Sequence, residues 1–146
     1  FDLYSASFFA RSAEERFLNL MMSIETLIRS RPSSPETIGH VQQLIEMTQR
    51  GDIPSSERDS LIGRLGQLKN ESIRTAGRNL MRERLPEREY QAMSAPDFFD
   101  HCYNLRSTLV HGAAPRPGRG VVGSAAATLE VLVSNLLSGP LLDVEV

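Results

Sequence analysis

The run Ser94-Ala95-Pro96-Asp97 and the later Gly112 bracket a segment whose apolar residues recur every three or four positions. That is the signature of a capped helix with a glycine stop, which here predicts a helix from the Ser94 cap to His111. Similar punctuation recurs along the chain and leaves no segment with a strand-like alternation. A first helix is predicted from about Ser5 to Arg29, stopped by Pro32, with Leu18, Met21, Glu25 and Ile28 on one stripe and Ile24 and Leu27 beside it. Ser34-Pro35-Glu36 opens a second helix carrying Ile38, Val41, Leu44, Ile45 and Met47, and Gly51 ends it.

Ser56-Glu57-Arg58-Asp59 resembles a capping box with Asp in place of Glu. The helix it opens is expected to bury Leu61, Leu65 and Leu68, then either to pause near Asn70 or to continue. Ile73, Ala76, Gly77, Leu80 and Met81 make the next pattern, ended by Pro86. After Gly112, residues 113–122 read as a flexible Pro/Gly/Arg loop. The last helix, about Gly123 to Ser138, is apolar nearly all round, which suits the middle of a bundle or a subunit interface. Together these segments predict an all-α, antiparallel bundle of about six helices.

With 146 residues the chain fits a single domain. A chain that opens on Phe1 without methionine reads as a piece of a longer protein. Its formal net charge of −2 supplies no global attraction for nucleic acid or an anionic membrane, so either would need a local patch. Cys102 is the only cysteine. It allows no intrachain disulfide and no thiol cluster for a metal, and a reducing, cytoplasmic setting is the simplest expectation. No basic, apolar leader opens the chain, and no stretch is expected to span a bilayer. Neither a cofactor nor a metal is expected.

One residue conflicts with a plain bundle. Phe99, Cys102 and Tyr103 precede Arg106 at helical spacing, and Leu109 and Val110 follow it. A guanidinium in such an apolar stripe is costly unless paired. Glu25 interrupts the stripe of the first helix in the same way, so Glu25 and Arg106 are expected to pair across a helix contact. The competing arrangement has Arg106 snorkelling to solvent and Glu25 simply exposed. His111, in the last turn before Gly112, is the second notable residue, since imidazole suits proton transfer near neutral pH. Five positions on an α-helix turn through roughly 140°, so Arg106 and His111 do not share a face. They converge through arginine's length, a distorted helix end, or a second copy of the motif.

Tyr103-Asn104-Leu105-Arg106-Ser107-Thr108-Leu109-Val110-His111-Gly112 resembles, with a spacer of four, the Arg-x(4–6)-His motif on a late helix of HEPN domains, most closely the Apea-like branch. Ala13-Glu14-Glu15-Arg16-Phe17 leading into Ile24-Glu25-Thr26-Leu27 is similar to that branch's opening helix, and the resemblance covers about Ala6 to Ser138. It implies a HEPN-like helical domain that pairs as a homodimer. In catalytic members it implies metal-independent RNA cleavage, as in toxin or antiviral-defence proteins. His111 would then act as general base and Arg106 would hold the phosphate, with Glu25, Asn104 and Ser107 in support. Where catalytic members often carry Asn, Asp or His after the arginine, this chain has Ser107. Many members are instead non-catalytic dimerisation or protein-binding modules, in which Arg106 would be structural.

Arg74, Arg78, Arg82, Arg116 and Arg119 are candidates for RNA-backbone contacts, against the plainer reading of a solvated face and loop. His40 and His101 read as surface residues, and Cys102 as a buried thiol.

Overall fold

In a computed structural model the described residues are 2–112 and 114–142, with residues 139–142 as backbone only. The fold is all-α. It divides into two compact units, Phe1–Ile28 with Gly77–Val146, and Arg29–Ala76.

The first unit begins with α1 (Asp2–Ser7) and α2 (Ala13–Leu27). These replace the single opening helix that the periodicity predicts. Ser12 causes the break: its hydroxyl accepts from Glu15 N–H, while Glu15 Oε2 accepts from Arg11 N–H at 2.8 Å, so a fresh helix starts at Ala13. α6 (Ala95–His111) has the predicted limits, with Ser94 Oγ accepting from Asp97 N–H and Gly112 left-handed at φ 65°. The unit also holds α7 (Arg119–Leu142) and the later part of α5 (Ile73–Arg84).

Its core is built where α2 packs on α7 and both meet α6. Phe17, Met21 and Ile24 of α2, Phe98, Phe99 and Cys102 of α6, and Leu129 and Leu132 of α7 are completely buried. Gly77 of α5 allows the closest approach, since a β-carbon there would lie 2.3 Å from Phe99 Cζ. Arg16 pairs with Glu130, a further tie between α2 and α7.

α7 starts at Arg119 and not at Gly123, so the connection after α6 is shorter than the predicted 113–122 loop. Val122 is the reason: it is fully buried, and its N–H donates to Gly118 C=O at 3.2 Å, winding the first turn early. Within α7, Arg119–Ser138 is long and apolar enough, by length and composition, to cross a membrane, at a mean hydropathy of 1.5. That corrects the expectation that no such stretch exists. The buried stripe of α7 (Val122, Ala125, Leu129, Leu132 and Leu136 among it) belongs to the core of this unit.

A small hairpin, β1 (Glu89–Tyr90) with β2 (Met93–Ser94), was not legible as strand. Its turn residues Gln91 and Ala92 both have positive φ, 52° and 58°. Such conformations cost an L-residue about 1–2 kcal/mol each. Tertiary bonds offset this: Gln91 Nε2 donates to Ser124 O, Ser124 Oγ and Thr128 Oγ1 at 3.0–3.2 Å. Asn135 Nδ2 donates to Tyr90 Oη at 2.9 Å.

In the second unit α3 (Pro35–Arg50) packs on α4 (Ser55–Gln67). α3 is capped by Ser34 and ends at Gly51 as predicted, and it buries Val41 and Ile45. α4 departs from expectation twice. It begins at Ser55 behind Pro54, without a side-chain cap, because Arg58 N–H bonds Pro54 C=O and the Arg58 guanidinium bonds Ile53 C=O. It also buries none of its residues, and Leu61 and Leu68 are exposed. A two-helix hairpin covers only one stripe of each helix, and here that stripe carries Ile62 and Leu65, both half-buried. α4 ends before Asn70, and Ser72 opens α5 by accepting from Thr75 N–H at 3.1 Å.

Candidate functional site

Two apolar seams meet where α2 crosses α6, and each carries one charge. Glu25 follows buried Met21 by four residues, and Arg106 follows buried Cys102 by four. Helical spacing therefore aims both side chains at the same contact. Glu25 Oε1 lies 3.5 Å from Arg106 Nε, an ion pair with side chains 26% and 30% exposed. The snorkelling alternative is set aside by this pairing, although the guanidinium keeps a route to solvent. The 3.5 Å approach of Glu25 is to Nε of the guanidinium.

His111 closes α6 on the other side. It is exposed, as are Asn104 and neighbouring Val110, and the Gly112 N–H donates to Thr108 C=O behind it. Arg106 is turned towards Glu25 of α2, while His111 is exposed at the end of α6. Ser107 is half-buried, while Asn104 uses its backbone carbonyl to accept from Thr108 Oγ1 at 3.0 Å.

The arginine candidates are mostly engaged by acids or amides. Arg78 pairs with Asp100 and, at 3.5 Å, with Asp97 of α6. Arg116 pairs with Glu14 at 2.8 Å, and Arg82 donates to Asn79 Oδ1 at 2.9 Å. Arg74 is half-buried and has an interaction of its own. Arg119 stands exposed at the first turn of α7. Arg74, Arg78 and Arg82 follow one another at four-residue intervals. Spacing could not reveal the carboxylates of Asp97, Asp100 and Glu14, which arrive from distant parts of the chain.

No protein-family model, curated protein or solved structure matches this chain.

His40 and His101 are exposed, and His101 stacks on Phe98 with centroids 6.3 Å apart. Cys102 is completely buried, and desolvation pushes its thiol up to about 12. It is an inert core residue. Among the described residues no three His, Cys, Asp or Glu side chains cluster as a metal site.

Proposed function

We propose that this chain is a HEPN-like module that binds and cleaves RNA at a site shared by two copies, with Arg106 of one copy facing His111 of the other. The observation that carries the reading is the way Glu25 holds Arg106. The carboxylate stands 3.5 Å from Nε, on an arginine side chain that stays 30% exposed. A guanidinium oriented in this way and still reached by solvent is suited to a phosphate.

In this reading His111 takes the proton from a ribose 2′-hydroxyl. The resulting alkoxide attacks the adjacent phosphorus, the bond to the 5′ oxygen breaks, and that oxygen takes up a proton. The products are a 2′,3′-cyclic phosphate and a 5′-hydroxyl end. Arg106 stabilises the charge that develops on the phosphate oxygens. Asn104 and Ser107 lie within one turn of Arg106 as supporting hydrogen-bonding groups. Buried Cys102, the only thiol, fits a reducing, cytoplasmic setting, such as that of a toxin or antiviral-defence protein.

The test is cleavage of a labelled single-stranded RNA, in the presence of chelator, by the unaltered chain and by His111→Ala. Cyclic-phosphate ends that vanish in the variant support the reading. A confirmed dimer that leaves the RNA intact overturns it.

A second reading has its own support. Arg78 and Arg116 are paired with carboxylates, and Arg106 pairs with Glu25 while His111 stands exposed. A non-catalytic interaction module, with the Glu25–Arg106 pair as a brace, fits those facts, and an intact RNA beside a stable dimer would favour it.

A further inference from the structure

Between β1 and α7 runs an open trough of about 500 Å³, with Arg88, Glu89 and Gln91 on one wall and Ala127, Val131 and Asn135 on the other. No residue of β2 lines it, and β1 has one edge that β2 leaves unpaired. The register says which backbone groups face it. Ala95 N–H donates to Arg88 C=O, and Tyr90 opposes Met93, so the Glu89–Ser94 pair between them is the non-hydrogen-bonded kind. The N–H and C=O of Glu89 therefore turn away from β2, towards the free edge.

The trough walls offer more than backbone. Gln91 and Asn135 spend their amide nitrogens on Ser124, Thr128 and Tyr90, which leaves both amide oxygens as acceptors. Val131 is 53% exposed, with Ala127 one helical turn before it, so the α7 wall is an apolar strip. Arg88 is exposed and has no carboxylate partner among the described residues. The same side-chain bonds pin the left-handed turn onto α7, so the edge is presented on a rigid support.

We propose that this trough binds an extended peptide segment of another protein, which adds to β1 as a third strand. The segment sets an apolar side chain on Val131 and Ala127 and a carboxylate against Arg88. Its backbone exchanges hydrogen bonds with Glu89, the usual way an exposed sheet edge recruits a strand.

The experiment is an amide chemical-shift titration of the whole chain with the acetylated, amidated peptide Thr-Val-Asp-Val-Thr up to millimolar concentration. Saturable shifts at Glu89, Gln91 and the Ala127–Asn135 turns of α7 are expected. The same peptide with both valines N-methylated keeps its side chains but loses its donors, and should bind about tenfold more weakly. Arg88→Glu, checked for an unchanged helical spectrum, should weaken the aspartate peptide about threefold and favour a lysine counterpart instead. No shift at millimolar peptide, equal binding of the N-methylated peptide, or shifts lying outside the trough would overturn the proposal. So would concentration-dependent shifts of the same amides without peptide, which would make a second copy the occupant.

Discussion

Glu25 Oε1 stands 3.5 Å from Arg106 Nε, joining α2 to α6 at the one place where each helix carries a charge within its apolar stripe. Both side chains keep about a quarter to a third of their surface in solvent, so the pair is neither a freely screened surface contact nor a fully desolvated one. Its Coulombic contribution is therefore modest. What it supplies is orientation: a long, flexible arginine is drawn towards α2 while part of its surface stays in solvent.

The pair should show measurable coupling. In a double-mutant cycle with Glu25→Gln and Arg106→Met, urea unfolding is expected to give an interaction of about 0.5–1 kcal/mol. Each single change should cost about 1 kcal/mol, since it leaves a half-buried polar partner behind. A coupling of zero would mean that the charges do not sense one another.

Gly77→Ala should destabilise the fold even though alanine is the better helix former. The added carbon would sit 2.3 Å from Phe99 Cζ and 2.4 Å from Phe99 Cε1, and Phe99 is fully buried with nowhere to retreat. Overpacking of this kind costs about 1–3 kcal/mol. Thermal unfolding should register the loss, and adding Phe99→Leu should return part of it. A more stable Gly77→Ala would show that the helices separate freely.

Cys102 makes stability fall in alkali. Its thiol titrates at about 12 when folded, against an ordinary value of 9.0 once the chain unfolds. Below 9 both states keep the proton and the group has no effect. Between 9 and 12 only the folded state keeps it, so stability should drop by about 1.4 kcal/mol per pH unit from this group alone. Unfolding free energies measured across that range should show a shallower slope for Cys102→Ala. An alkylating reagent at pH 8 should label the thiol only after denaturant is added.

Ala92→Gly should stabilise the hairpin. Ala92 sits at φ 58°, where glycine escapes the steric cost, while Gln91 beside it keeps its clamp on α7. Allowing for the extra entropy glycine brings to the unfolded chain, a gain of about 0.5–1 kcal/mol is expected in chemical denaturation. A loss would place the turn's strain elsewhere.

The parts of the fold that local chemistry dictates were readable from the sequence. α6 starts at the Ser94 cap and stops at a left-handed Gly112, and α3 runs from Ser34 to Gly51, because caps act within a few residues. The Glu25–Arg106 pair was also readable, since a charge in an apolar stripe demands a partner and Glu25 interrupts the stripe of the first helix in the matching way. The break at Ser12 carried a local signal, Ser12-Ala13-Glu14-Glu15, but helical periodicity on both sides concealed it. The hairpin carried almost none. Gln91-Ala92 lacks the residues that favour a tight turn, and it is held by Ser124 and Thr128, more than thirty positions away. For the same reason the ion pairs of Arg78 were not legible: Asp97 and Asp100 answer it from another helix.

Complementation between variants tests the shared site most directly. Arg106→Ala and His111→Ala chains are each assayed alone on a single-stranded RNA with chelator present, then mixed, exchanged and assayed again, with mixed dimers confirmed by mass. If Arg106 of one copy works with His111 of the other, each variant alone is inactive, and mixing restores cleavage through the one intact pairing in each mixed dimer. Mixed dimers that form and still leave the RNA uncut would contradict a composite Arg106–His111 site.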